Sequence, residues 1–245
     1  MQVRPDIASR ILEAVLKISA SNKPISIREI SQIALTSMDE TRRILGFLEI
    51  EEDAVLCENE RVRAILNALR LGVDASSLAR YLDWREFERL ATLLLGEAGY
   101  EAEWNVRLSY SGRRIQVDVL AYNGSIFLVM DCKRWNRPLT PSAELRIREG
   151  QEKRLCLLKS LIEHSFGQEN TKIVYLIPAT LSLYRPSKLI IDGFIFASLD
   201  KLEGALEYVE RSFFQLRNEK AAIPRDLTLK QIVLRLREKS RSRAR

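Results

Sequence analysis

The chain has 245 residues, 46% hydrophobic and 29% charged, with a net charge of +6, which is ordinary composition for a soluble protein of one or two domains. No apolar run approaches the roughly 18 residues of a membrane span, and Met1–Asp6 lacks the apolar stretch of a signal peptide, so a cytoplasmic protein with no membrane partner is expected. Cys57, Cys132 and Cys156 form no Cys-x-x-Cys pair, which argues against a disulfide framework or a cysteine zinc site, and with His164 the only histidine any chemistry must come from carboxylates and lysine.

Pro5 is placed as a first-turn residue, and Ile7, Ile11, Val15 and Ile18 repeat at helical spacing through residue 20. Ser26 to Glu29 and Ser37 to Glu40 fit the capping-box pattern, each opening a short helix, and Val55-Leu56-Cys57 is read as a wing strand before another amphipathic helix through Val62, Ile65, Leu66 and Leu69. The order predicts a winged-helix domain over residues 1–75. Arg42 and Arg43 on its would-be recognition helix are candidate DNA contacts, but residues 1–75 hold ten Lys/Arg against twelve Asp/Glu, a poor footprint for phosphate. Dimerisation or domain packing is the alternative role.

Residues 72–77 read as a short linker, and Asp83 to Glu86 as a capping box that starts a helix carrying Phe87, Leu90, Ala91 and Leu94, with Glu88 on the shoulder of that apolar face. Residues 102–110 are expected to form a strand. Arg114 to Ala121 and Ile126 to Trp135 flank Asn123-Gly124, a strong short-range signal for a β-hairpin. By the two-residue period of a strand, Asp131 and Lys133 share one face, and Asp118 shares the face of Gln116 and Leu120. Burying such charges costs several kcal/mol (about that much per ion) unless they are paired or bind a metal, so the end of this hairpin is a candidate site.

Pro141-Ser142 opens a long helix to about residue 165, with Gln151, Lys153 and Arg154 on its polar side, read as a solvated face in preference to one turned toward a substrate or active site. The apolar runs at 173–177, 189–191 and 194–196 predict strands covered on both faces. Residues 199–216 and the segment through Leu229, Ile232, Val233 and Leu236 are read as the last helices. Eight Lys/Arg against two acids between 225 and 245 give a net +6, equal to that of the whole chain, so positive charge is concentrated at the end. The predicted class is α/β: a mixed central sheet flanked by helices over residues 76–220, after a mostly helical N-terminal domain and before a basic helix and tail over 221–245.

Phe87-Glu88 on a helix ending at Gly99-Tyr100, then Gly112 to Asp118, then Asp131-Cys132-Lys133-Arg134-Trp135 occur in the order and at the spacings of a known motif. In this the chain resembles the PD-(D/E)xK nuclease superfamily, in particular its Mrr-like and archaeal junction-resolvase-like branches, over about half its length. It departs from the pattern in having Val117 before Asp118 and Asp131 where glutamate or glutamine is commoner. The resemblance implies a restriction-endonuclease-like fold and a Mg²⁺-dependent deoxyribonuclease, with Mn²⁺ as a substitute ion and DNA, duplex or branched, as partner, in a possible homodimer. It implies Asp118, Asp131 and the Cys132 carbonyl as metal ligands, Glu88 as anchor of a second ion or its water, and Lys133 as the group that orients or deprotonates the attacking water. Arg134, Trp135 and Arg137 after the strand are candidate phosphate or stacking contacts, with core packing the preferred reading of Trp135 by itself; Arg113 and Arg114, and Arg235, Lys239, Arg241 and Arg243 near the end, are further candidate contacts. The competing expectation is a non-catalytic DNA-binding protein that keeps the fold.

Overall fold

The computed structural model describes residues 3–134, 139–167, 170–184 and 186–241, without the side chains of residues 75, 76 and 241. Its contacts divide the chain into two units, Met1–Leu90 and Ala91–Arg245. The division falls inside a helix, not in the 72–77 stretch, where a short helix stands.

In the first unit, α1 (Pro5–Ser19) starts on Pro5 and Asp6 and buries Ile11, Leu12, Val15, Leu16 and Ile18. Pro supplies a preset φ where no amide donor is needed, and the acid faces the helix's positive end. α2 (Ile27–Ala34) and α3 (Met38–Phe47) begin as the sequence predicts, the Glu29 N–H donating to Ser26 Oγ at 3.4 Å and the Glu40 N–H to Ser37 Oγ at 3.2 Å. α4 (Glu58–Arg70) follows. The wing strand is not formed: residues 54–57 carry no strand, and the chain there is held to Ile25 by only two backbone bonds, Asp53 N–H to Ile25 O at 2.8 Å and Ile25 N–H to Ala54 O at 2.9 Å. Asp53 sits at φ +62°, a turn conformation that interrupts an extended run before a ladder can grow.

α5 (Ala75–Ala79) and α6 (Trp84–Glu97) complete the helical part. The capping box at α6 is present in both directions: the Glu86 N–H donates to Asp83 Oδ1 at 2.8 Å and the Asp83 N–H to Glu86 Oε2 at 2.6 Å. The remaining Glu86 oxygen lies 2.8 Å from Arg61 Nε in an ion pair, while the same guanidinium donates to Ser19 Oγ and to Tyr81 O. Both charged groups are buried, and Arg61 thereby ties α1, α4 and the approach to α6 together.

The second unit is a mixed seven-stranded sheet with helices, ordered β1-β2-β3-β4-β6-β5 with β7 also on β4. β1 (Glu101–Tyr110), β2 (Arg113–Tyr122) and β3 (Ile126–Lys133) form an antiparallel meander. The β2–β3 turn is set by Asn123, whose side chain accepts the N–H groups of Ser125 and Ile126, and by Gly124 at φ +92°. α7 (Pro141–Ser165) crosses over to β4 (Thr171–Ser182), which runs parallel to β3, the connection a parallel pair requires. β6 (Phe194–Ser198), reached through the short β5 (Ile190–Ile191), pairs with the second half of β4, and β7 (Glu219–Pro224) pairs with its first half. The 199–216 helix is broken: α8 spans only Leu202–Ser212, between single 3₁₀ turns.

α9 (Leu229–Arg241) is not a detachable tail. Its Leu229, Ile232, Val233 and Leu236 lie in one core cluster with Val106, Leu108 and Ile115 of the meander and with Leu155, Leu158 and Leu161 of α7. The expected boundary at 220/221 therefore cuts through β7 and separates a helix from the core it completes.

Candidate active site

The β2–β3 ladder opens at one end. Its paired positions run from Tyr122↔Phe127 to Val119↔Met130 and stop there, while β3 continues to Lys133 against β4. Asp118 and Asp131 are the next residues on the two strands. The Cys132 N–H, beyond the last β2 pair, donates to Asp118 Oδ2 at 2.9 Å. A backbone donor there must find some acceptor, and the aspartate supplies it.

The β1–β2 register runs from Glu101↔Tyr122 to Tyr110↔Arg113 but leaves out the position where Asn105 meets Asp118, and Asn105 stands at φ +51°. This irregularity shifts the alternation of side chains. Ile115 and Val117 before it and Leu120 and Tyr122 after it all enter the same core cluster, while Gln116 is exposed. The expectation that Asp118 shares the face of both Gln116 and Leu120 is therefore corrected, because strict alternation does not pass through the Asp118 position.

Asp131 is buried and Lys133, as expected, shares its face: Lys133 Nζ lies 2.9 Å from Asp131 Oδ2. A second cation, Arg154 of α7, comes within 3.5 Å of Asp131 Oδ1. The Arg154 guanidinium also donates to Gln151 Oε1 at 2.8 Å, and Gln151 Nε2 donates to the carbonyls of Val129 on β3 and Ala179 on β4, at 3.2 and 2.8 Å. Gln151 is 1% exposed. The solvated face expected for Gln151 and Arg154 is thus overturned: the first half of α7 faces the sheet with polar side chains, and an apolar period cannot reveal such a face. Lys153 alone of the three is exposed.

Electrostatics follow from this packing. Burial pushes the Asp118 carboxyl above the usual range and the neighbouring Asp131 charge pushes it further, while the Cys132 N–H, Lys133 and Arg154 act the other way.

The other expected residues are more scattered. Glu88 is buried on α6 and belongs to the N-terminal unit, whereas Asp118, Asp131 and Lys133 belong to the other. Arg43 is paired with Glu40 through two nitrogens, and Arg42 lies 3.4 Å from Asp39, so both arginines of α3 already face acids of their own helix. Arg113 and Arg114 are exposed at the β1–β2 turn, Arg134 is half-buried, and Arg235 and Lys239 are exposed on α9, Arg235 over the Phe166 ring at 5.9 Å. Trp135, Arg137 and Arg243 lie outside the described residues, as does the side chain of Arg241.

A different group, Glu152, Cys156 and Glu219, brings ligand-type atoms within 4.8 Å of one another on α7 and β7. Arg217 pairs with both glutamates and Lys159 with Glu219, which makes the cluster an ion-pair network. Among the described residues no helix is long and apolar enough to cross a membrane.

No protein-family model matches the chain, and no curated protein does. A solved structure, that of protein VC1899 from Vibrio cholerae, is similar at a TM-score of 0.36 and 14% identity, over 86% of this chain and 51% of the other. The chain thus spans about half the length of that protein.

Proposed function

We propose that the protein is a metal-dependent deoxyribonuclease of restriction-endonuclease-like fold, hydrolysing phosphodiester bonds of duplex or branched DNA at the open end of β2 and β3. The observation that carries this reading is the juxtaposition of Asp118 and Asp131 where the ladder parts, one carboxyl raised partly by the charge of the other, with Lys133 against the second. Two like charges partly buried together cost stability in the resting protein, and such arrangements are characteristic of sites that bind a cation or transfer a proton. Their order and spacing along the chain are also those of the superfamily that the sequence resembles.

The donor set suits a hard divalent cation. Asp118, Asp131 and the Cys132 carbonyl offer oxygen atoms, as Mg²⁺ and Mn²⁺ prefer, and a cation held by them would offset both the burial and the Asp131 repulsion that raise Asp118. When bound, such an ion supplies charge neutralisation at the phosphoryl oxygens and lowers the pKa of a water. Lys133 orients the attacking water and offers positive charge to the transition state. Arg154 holds the Asp131 carboxylate in place, and Gln151 fixes Arg154 to the β3–β4 floor.

The test is a panel of end-labelled duplex, junction, flap and single-stranded DNA, incubated with Mg²⁺ or Mn²⁺ and with a chelator, for wild type and Asp131→Asn. Metal-dependent cleavage lost in the variant supports the reading. Binding without cleavage across the panel would reject it in favour of a non-catalytic DNA-binding protein, for which the Lys133 and Arg154 pairs on Asp131 would be plain neutralisation.

A further inference from the structure

The last turn of α9 is fastened to the edge of the sheet. The Ser109 N–H of β1 donates to Ser240 Oγ at 3.0 Å, Ser109 Oγ donates to the Ser240 carbonyl at 3.1 Å, and Ser240 Oγ turns back to Leu236 O at 2.8 Å. The helix thereby takes up a backbone donor on the edge strand β1, and its last turn is docked at Ser109. It also forms one wall of a groove whose other wall is the β1–β2 hairpin.

That groove carries Arg107 from β1, Arg114 from β2 and Arg237 from α9, with Asn105, Gln116 and Ser240 between them, and no carboxylate lines it among the described residues. The contrast with α3 is direct, since Arg42 and Arg43 each have an acid within their own helix. Arg107 is oriented by its Nε–H bond to Asn105 Oδ1 at 2.9 Å, an asparagine held at the positive φ that also kinks the strand beside Asp118. Ser109 pairs with Arg114 and Arg107 with Gln116, so the two arginines are diagonal neighbours across the hairpin, about 7–8 Å apart at this register. Lys239 lines the adjoining hollow at the β1–β2 turn.

Three cations held on separate rigid elements, without a neutralising acid and with amide and hydroxyl groups among them, form a surface for a chain of negative charges. We propose that this groove seats the phosphodiester backbone of duplex DNA, with Arg107, Arg114 and Arg237 each meeting a phosphate. The choice of DNA as the polyanion rests on the nuclease reading; neither Asp118 nor Asp131 lines the groove itself. It positions the duplex by its backbone and carries no sequence information.

Fluorescence anisotropy of a labelled duplex with the full chain, in chelator so that nothing is cut, tests this across a salt series. Each phosphate contact contributes about 0.9 to the slope of log K against log salt, so Arg107→Gln/Arg114→Gln/Arg237→Gln should flatten the slope by about 2 to 3 and weaken binding at low salt at least tenfold. The matching triple lysine variant, which keeps the charges, should retain most of the slope and guards against misfolding as the cause. An unchanged slope in the glutamine variant overturns the groove assignment and leaves wild-type cleavage untouched as support for the nuclease. A flattened slope in a protein that cuts nothing on the panel upholds the groove and rejects the nuclease. A wild type that binds no duplex at low salt overturns the groove outright.

Discussion

The carboxylate of Asp118 accepts the backbone N–H of Cys132 at 2.9 Å, occupying the position that a β2 carbonyl would fill were the ladder to continue. One side chain thus both terminates strand pairing and brings its own charge beside Asp131. The carboxyl is held above its ordinary range first by burial and next by Asp131.

This fixes the sign of a pH effect in the metal-free protein. A carboxyl whose folded pKa lies above its unfolded value binds more protons when folded, so between those two values stability falls as pH rises. Above the folded pKa the full cost is present; lowering the pH through it recovers that cost, and recovery ends near the unfolded value of about 3.9. Asp118→Asn should abolish this component and raise the urea midpoint at neutral pH, while cutting Mg²⁺-dependent cleavage by about a hundredfold or more. Adding Mn²⁺ should stabilise wild type and not the variant. Equal Mn²⁺ stabilisation of both proteins would count against the site.

Gln151 joins β3 to β4 by donating to one carbonyl of each, and gives its own oxygen to Arg154. Gln151→Leu removes its hydrogen bonds to those carbonyls, which costs about 1–3 kcal/mol, and frees Arg154 from its position beside Asp131. Thermal unfolding should show the loss, and cleavage should fall further than stability alone explains. A variant with wild-type activity at a temperature where it is fully folded would show that Gln151 only braces the sheet.

How far these features could be read in advance depends on the signal that each one leaves in the sequence. The Asn123-Gly124 hairpin and the Asp83/Glu86 cap are local, with turn chemistry and capping written in adjacent residues, and both stand as expected. The α/β class followed from apolar runs such as 173–177. β7 was missed because six residues with one buried isoleucine and one buried alanine carry no strand period, and only pairing with Thr171–Leu176 makes them a strand. The kink at Asn105 leaves no trace in the sequence, and the polar side of α7 is visible there but not the direction it faces, for a related reason. Both depend on what lies across from them in space, and alternation rules assume a uniform partner. Asp131 and Lys133 could be read as one face because β3 is regular there.

α9 contributes four buried aliphatic residues to the core of the C-terminal unit. Removing residues 225–245 should therefore destabilise that unit and not simply strip charge from it, since each buried aliphatic side chain is worth about 1.5–3 kcal/mol. Ile232→Ala alone should cost about 2–5 kcal/mol in urea unfolding. A truncated chain with unchanged unfolding would mean that the helix adds no stability.

Arg61 is the buried partner of Glu86 and also serves Ser19 and the Tyr81 carbonyl. Arg61→Met removes the cation beside a carboxylate whose charge burial already disfavours, and should destabilise the N-terminal unit by about 3–5 kcal/mol. Arg61→Met/Glu86→Gln should recover part of that loss, because the orphaned charge disappears with it. A double variant as unstable as the single one would place the cost in packing and not in the ion pair.

Lys133 separates an enzyme from an inert binder. Its ammonium lies 2.9 Å from Asp131 with 28% of its side chain exposed, and Asp131 has Arg154 as a second partner. If the contact is only an ion pair, its loss costs about 0 to 1 kcal/mol, and Arg154 remains to neutralise the carboxylate, so Lys133→Ala changes little. If Lys133 acts on the attacking water and the developing charge, the same substitution lowers cleavage by about a hundredfold or more, with DNA affinity and Mn²⁺ binding held within a few-fold. Lys133→Arg should fail to restore activity, because a guanidinium does not give up its proton at working pH and its planar fork needs a different space. Single-turnover cleavage of a substrate from the panel, beside Mn²⁺ calorimetry, reads all of this. A Lys133→Ala protein that still cuts at the wild-type rate would reduce Lys133 to the counter-ion of Asp131.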